Sequence, residues 1–158
     1  MDIKAISLTL HLLSAVIWVG GMFFAYMILR PVAGGQLEPP QRLTLWVAVF
    51  KKFFPVVWVT VVLLLLTGYN LIFSNWGGFS AAPFYVHLMN GLGSVMILIY
   101  MHVFFAPYKR LSQAVAAEDW PLAGKKLNQI RMLIAANLTL GLIVISLAAL
   151  GRYSPLLY

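Results

Sequence analysis

Four stretches of this chain, roughly residues 4 to 29, 54 to 73, 83 to 106 and 131 to 150, are apolar almost without interruption. About 20 such residues, at about 1.5 Å rise each, match the hydrocarbon thickness of a bilayer. Backbone polar groups at that depth are satisfied only within helices or closed barrels. With 62% hydrophobic and 9% charged residues among 158, the chain has more apolar surface than a soluble domain of its length buries. The expected fold is therefore an all-α membrane protein, one integral domain over 1–158. Its architecture is an antiparallel bundle of four transmembrane helices at about 4–29, 43–73, 83–106 and 121–150.

Charge sets the expected orientation. The formal net charge is +7, and nine of the eleven basic residues lie in two connecting segments. One holds Arg30, Arg42, Lys51 and Lys52; the other holds Lys109, Arg110, Lys125, Lys126 and Arg131. Basic loops stay in the cytoplasm, so the predicted topology is multi-pass in a bacterial inner membrane, with both termini periplasmic. The basic excess is thus a topology signal, and nucleic acid is not an expected partner. The first apolar run is too long for a signal-peptide core, and its basic flank, Arg30, follows rather than precedes it, so it is expected to be retained. Absence of cysteine removes disulfides, thiolate ligands and iron–sulfur clusters.

Between the spans, Arg30-Pro31 is expected to stop helix 1, with a turn-rich loop from Ala33 to Pro40. Leu43, Trp46, Val47, Phe50 and Phe53 then recur at helical spacing, which predicts an extension of helix 2 on the cytoplasmic side. Asn75-Trp76-Gly77-Gly78 reads as the outer turn, Ser80 with Pro83 as the capped start of helix 3, and Pro107 as its end. Asp119 and Pro121 open helix 4. The outer connection is expected to be short and the inner ones longer.

Membrane-embedded carboxylates and lysines are absent, since the lysines lie at or beyond the ends of the apolar runs, which argues against an ion carrier built on buried charge. Three histidines remain, and an ionisable residue at that depth is a functional candidate. His11 lies 19 residues before Arg30 and His87 lies 22 before Lys109. At about 1.5 Å per residue both rings stand roughly 30 Å from the inner surface, near the periplasmic face. Ser14 and Ala15 below His11, and Gly91 and Ser94 below His87, are small enough to leave room for a flat macrocycle. Facing imidazoles suit haem iron. Lys4 and Arg152, basic residues at the outer side, would then meet the propionates. The competing reading makes both histidines hydrogen-bonding glue between helices. His102, fifteen residues after His87, has no histidine at its own level and reads as a structural residue, less suited to a metal. Met89, Met96 and Met101 share helix 3 with His87, and thioethers with imidazoles can hold Cu(I), although scattered methionine is ordinarily packing. Gly20-Gly21, Gly68 and Gly141 are read as close-approach positions, and Trp18, Trp46 and Trp58 as packing residues or interface anchors.

The run "HLLSAVIWVGG", with His11, Trp18 seven later and Gly21 three after that, resembles the first helix of the copper resistance protein D (CopD) family and of the related HemJ-type protoporphyrinogen oxidases. Both are small multi-helix bacterial membrane proteins. The HemJ resemblance implies haem b held through His11 and oxidation of a porphyrinogen; that family also uses a helix 3 lysine, whereas this chain has none between Pro83 and Pro107 and carries His87 near the equivalent place. The CopD resemblance implies copper movement across the inner membrane.

The leading expectation from these readings is a haem b protein, His11 and His87 its axial ligands, passing single electrons between redox partners that the sequence does not name. If it is an enzyme, it is a haem-dependent membrane oxidoreductase. Copper transport through His11, His87 and nearby methionines is the alternative, or HemJ-like porphyrinogen oxidation. A third is an assembly role in which basic inner helices, such as the Lys125-Lys126 segment, dock a protein or anionic lipid. Homo-oligomerisation is compatible with each.

Overall fold

The computed structural model describes residues 2–153, the side chain of Arg152 excepted. Every regular element among them is helical, and four helices are long and apolar enough to cross a membrane. These are α1, Ile3–Gln36; α2, Pro39–Trp76; α3, Phe84–Ala116; and α4, Trp120–Leu150.

Two helices outlast the prolines expected to end them. In α1 the α-helical Ile3–Phe23 passes into a π turn, Phe24–Leu29, and resumes as Arg30–Gln36. In α3 the π turn Phe104–Tyr108 contains Pro107, and helix resumes over Lys109–Ala116. A proline has no N–H for the carbonyl four residues back, and its ring crowds that carbonyl. A π turn moves the hydrogen bonds to i→i−5 and makes room; the Arg30 N–H accordingly donates to the Ala25 carbonyl. The segment Ala33-Gly34-Gly35, expected as loop, is helix for this reason.

The overrun also reverses the expected connection lengths. At the basic end only Leu37 and Glu38 separate α1 from α2, and residues 117–119 separate α3 from α4, whereas 77–83 join α2 to α3. Asp119 caps α4 by accepting from the Leu122 N–H at 3.1 Å, as its position predicts. Ser80 does not cap α3. It lies in the 3₁₀ turn Phe79–Ala81, and Pro83 takes the cap position without a side-chain bond.

Partners across α1 and α2 run in opposite senses: Ser7 meets Asn70, His11 meets Thr67, and Gly21 packs on Phe53. Between α3 and α4, Met96 meets Asn137 and Tyr85 meets Gly151. The main core lies towards the basic end. There Trp46, Phe50, Phe54, Tyr100 and Trp18 are buried among one another's rings, and Phe50 and Phe54 stack at 5.0 Å. The Tyr100 hydroxyl donates to the Phe54 carbonyl at 2.8 Å, so even this polar tip is satisfied inside the bundle. A smaller cluster of Ile72, Tyr85 and Val86 closes the other end.

At Gly141 α4 packs closely on its neighbours. A Cβ there would stand 2.8 Å from Val19 Cγ2 and 3.1 Å from Met96 Cε, whereas a Cβ at Gly20 would meet nothing within 4 Å. Gly141→Leu should therefore lose about 1–3 kcal/mol to overpacking, outweighing the gain of about 1 kcal/mol in helix propensity. Gly20→Leu should be neutral or slightly stabilising. Equilibrium unfolding in mixed detergent micelles reads both, and equal effects would show that close approach at Gly141 is not a constraint.

Candidate functional site

Ser7, His11, Ser14 and Trp18, spaced four, three and four apart, lie along the seam between α1 and its neighbours. Such spacing puts side chains on one helical face. Ser7 Oγ donates to Asn70 Oδ1 at 3.1 Å, and Ser74 Oγ reaches the same acceptor at 3.5 Å. Ser14 is 2% exposed, and Trp18 meets the Tyr100 ring edge-on at 6.1 Å. Polar groups therefore run along this seam through the apolar part of α1.

His11 occupies the middle of the row, half-buried, with Nδ1 3.0 Å from Thr67 Oγ1. The Thr67 hydroxyl spends its single proton on the Leu63 carbonyl one turn back. Its oxygen can then only accept, so His11 carries a proton on Nδ1 and donates it. The Leu64 carbonyl also lies beside the ring. In the neutral ring this leaves the lone pair on Nε2. Gly68 permits the arrangement, since a Cβ there would lie 3.1 Å from His11 Cε1. A glycine, a threonine and a carbonyl of α2 together form the bed of one imidazole.

The structure does not join His11 to His87. His87 is exposed and rests beside Phe79, ring centroids 5.9 Å apart. Gly91 and Ser94, one and two turns further on, are exposed as well; the Ser94 hydroxyl folds back onto the Asn90 carbonyl at 2.8 Å, and nothing lies within 4 Å of a Cβ at Gly91. These three therefore lie on an outward side of α3, whereas Ser14 and His11 face into the α1–α2 seam. No hydrogen bond or ring contact links the two histidines among the described residues. An axial haem pair within one copy of the chain is thus not supported: one ring is bedded on α2, and the small residues meant to cradle a macrocycle open outwards. Lys4 is exposed, and its backbone N–H donates to the Asp2 carboxylate. The Arg152 side chain lies outside the described residues. His102 is exposed near the π turn of α3. Among the described residues no group of three or more His, Cys, Asp or Glu is placed to hold a metal.

Sequence reading missed Thr67, and it took Gly68 as a close-approach position without identifying His11 as what approaches it, because only the pairing of α1 with α2 sets both beside His11. The centre of the bundle also holds a buried asparagine. Asn137 is 3% exposed; its Nδ2 donates to the Met96 carbonyl at 3.3 Å, while its Oδ1 is buried without a partner.

Residues 47–150 match the family described as Copper resistance protein D. The chain belongs to the CopD family. The matched stretch runs from α2 to the end of α4, so membership does not depend on the His11 motif in α1. CopD membership with four spanning-length helices makes this a multi-pass membrane protein. No curated protein and no solved structure matches the chain.

The orphaned oxygen of Asn137 yields a stability prediction. An unsatisfied buried acceptor costs about 1–3 kcal/mol, and the Met96 carbonyl that Asn137 bonds lies inside a helix. Asn137→Leu should therefore leave the bundle as stable as before or more so, read by unfolding in mixed micelles. Destabilisation beyond about 1 kcal/mol would show that the bond to Met96 outweighs the orphan.

Proposed function

We propose that this CopD-family chain moves copper across the bacterial inner membrane, with His11 as the imidazole that takes the ion. One observation carries the reading: the ring of His11 is held by Thr67 in the tautomer that leaves Nε2 free to ligate. A hydroxyl that accepts from the other ring nitrogen in this way is what orients metal-binding imidazoles. Cu(I), the softer ion, accepts imidazole and thioether together. Buried Met22 and Met96 lie further towards the basic end in the same bundle and offer thioethers along the way. His87, at a similar count from its own basic flank, supplies a second imidazole on the outer side of α3.

The bundle is antiparallel in this reading, with both termini periplasmic. Supporting this, the basic residues Arg30, Arg42 and Arg131, drawn from both charged segments, line one cleft at one end of the molecule. Basic segments remain on the cytoplasmic side. His11 then lies near the periplasmic mouth, where an ion would arrive or leave.

Purified protein in mild detergent, titrated with Cu(I) against a chromophoric chelator, should bind one ion. His11→Ala should abolish the tight site, and Thr67→Val, which keeps the shape but removes the acceptor, should weaken it about 10- to 100-fold. Proteoliposomes with either variant should show correspondingly slower copper flux. Unchanged Cu(I) affinity in His11→Ala would sink the assignment. A Soret band with sharp dithionite-reduced bands, lost in the same variant, would replace copper by haem b.

A further inference from the structure

A cleft of about 760 Å³ opens between the basic ends of α1, α2 and α4. That volume lies within the range of small-molecule sites. Its walls are divided by chemistry. Arg30, Arg42 and Arg131 supply three cations, and among the described residues no carboxylate lines the cleft. Leu43, Phe50, Ile130 and Ile134 supply an apolar floor, with Trp46 and Trp120 beside it.

All three arginines are half-buried, and none of them pairs with a carboxylate among the described residues. Glu38, just before α2, is exposed and lies outside the lining, and the Asp119 carboxylate is occupied with the Leu122 N–H. Arg30 has its guanidinium carbon 4.9 Å from the centroid of the Tyr26 ring, a cation–π contact that neutralises nothing. Gathering three positive charges in a partly desolvated cleft is unfavourable unless an anion joins them. Guanidinium is also the cation whose forked donors match phosphate. Other basic residues, Lys51, Lys52, Lys109 and Arg110, are exposed and take no part in the lining.

We infer that this cleft binds an anionic phospholipid, its phosphate held by Arg30, Arg42 and Arg131 and its acyl chains laid on the apolar floor. The amphipathic lining favours a lipid over a free anion, since a phosphate alone would leave the apolar part uncovered. Its place, where helices carry their basic ends, is the level at which headgroups lie, and basic pockets between spanning helices recognise such headgroups. The site is separate from His11 and does not rest on copper transport.

Trp46 and Trp120 line the cleft and report on its occupant. Full-length protein in detergent micelles is titrated with brominated phosphatidylglycerol or brominated phosphatidylcholine, and tryptophan fluorescence is followed. The anionic lipid should quench at several-fold lower mole fraction than the zwitterionic one. Arg42→Gln with Arg131→Gln should abolish that preference, Arg42→Lys should weaken it, and Lys51→Gln with Lys52→Gln should leave it intact. Native mass spectrometry should find phosphatidylglycerol retained by wild type and lost from the arginine variant. Should the arginine variant fail to fold, the lipid preference of wild type and the lysine variants still decides. Equal quenching by both lipids in wild type overturns the proposal. So does an equal loss in the Lys51/Lys52 variant, which would mean diffuse attraction to surface charge. Displacement of the lipid by millimolar inorganic phosphate would overturn it in favour of a free anion.

Discussion

Hydrocarbon offers no hydrogen-bond partner, so each backbone N–H and C=O that crosses it must be satisfied by the chain itself. That demand explains the two π turns. Pro31 and Pro107 each remove a donor and crowd a carbonyl, yet α1 and α3 continue past them because a local i→i−5 pattern takes up the difference. Both turns occur at the same kind of place, just before a basic residue, where the helices approach the charged end. The continuation of α1 places Arg30, Pro31 and Gly34 along the cleft with Arg42 of α2 and Arg131 of α4.

The same demand governs side chains. Thr67 and Ser94 return their protons to a carbonyl four residues back, and Tyr100 finds the Phe54 carbonyl on another helix. His11 is satisfied through a threonine that is itself already committed. The result is an imidazole whose proton position is dictated by a neighbour and whose second nitrogen is left over. Asn137 departs from the pattern, with one buried oxygen unmatched among the described residues. Elsewhere rings, not hydrogen bonds, hold the core together, from Trp46 through Phe50 and Phe54 to Tyr100 and Trp18.

How far the sequence could be read depended on the property in question. The number of long apolar helices followed from run length. The N-cap of α4 was readable at Asp119 because capping is a local bond. Helix ends at proline were misjudged, since whether a proline stops a helix or is absorbed by a wider turn depends on whether the residues beyond it gain packing. Buried Leu111 and Ala114, lying after Pro107, show that they do. His11 and His87 were matched by depth, and counting residues measures depth well. Each residue also rotates the helix by about 100°, so a depth match says nothing about which face a ring occupies. His11 proved to face α2 and His87 to lie outwards beside Phe79.

By itself, the sequence determined that this chain is helical, of membrane-spanning length four times over, and asymmetric in charge, because hydropathy and charge are sums along the chain that need no partner. Only the tertiary structure decided that His11 rests on Thr67 and Gly68, that His87 stands apart from it, and that three arginines distant in sequence line one cleft with no carboxylate among the described residues. Those outcomes depend on how each helix is rotated and on which neighbour it packs against. Rotation is set by the fit of side chains such as Val19 and Met96 over Gly141, a property of helix pairs that no single span carries.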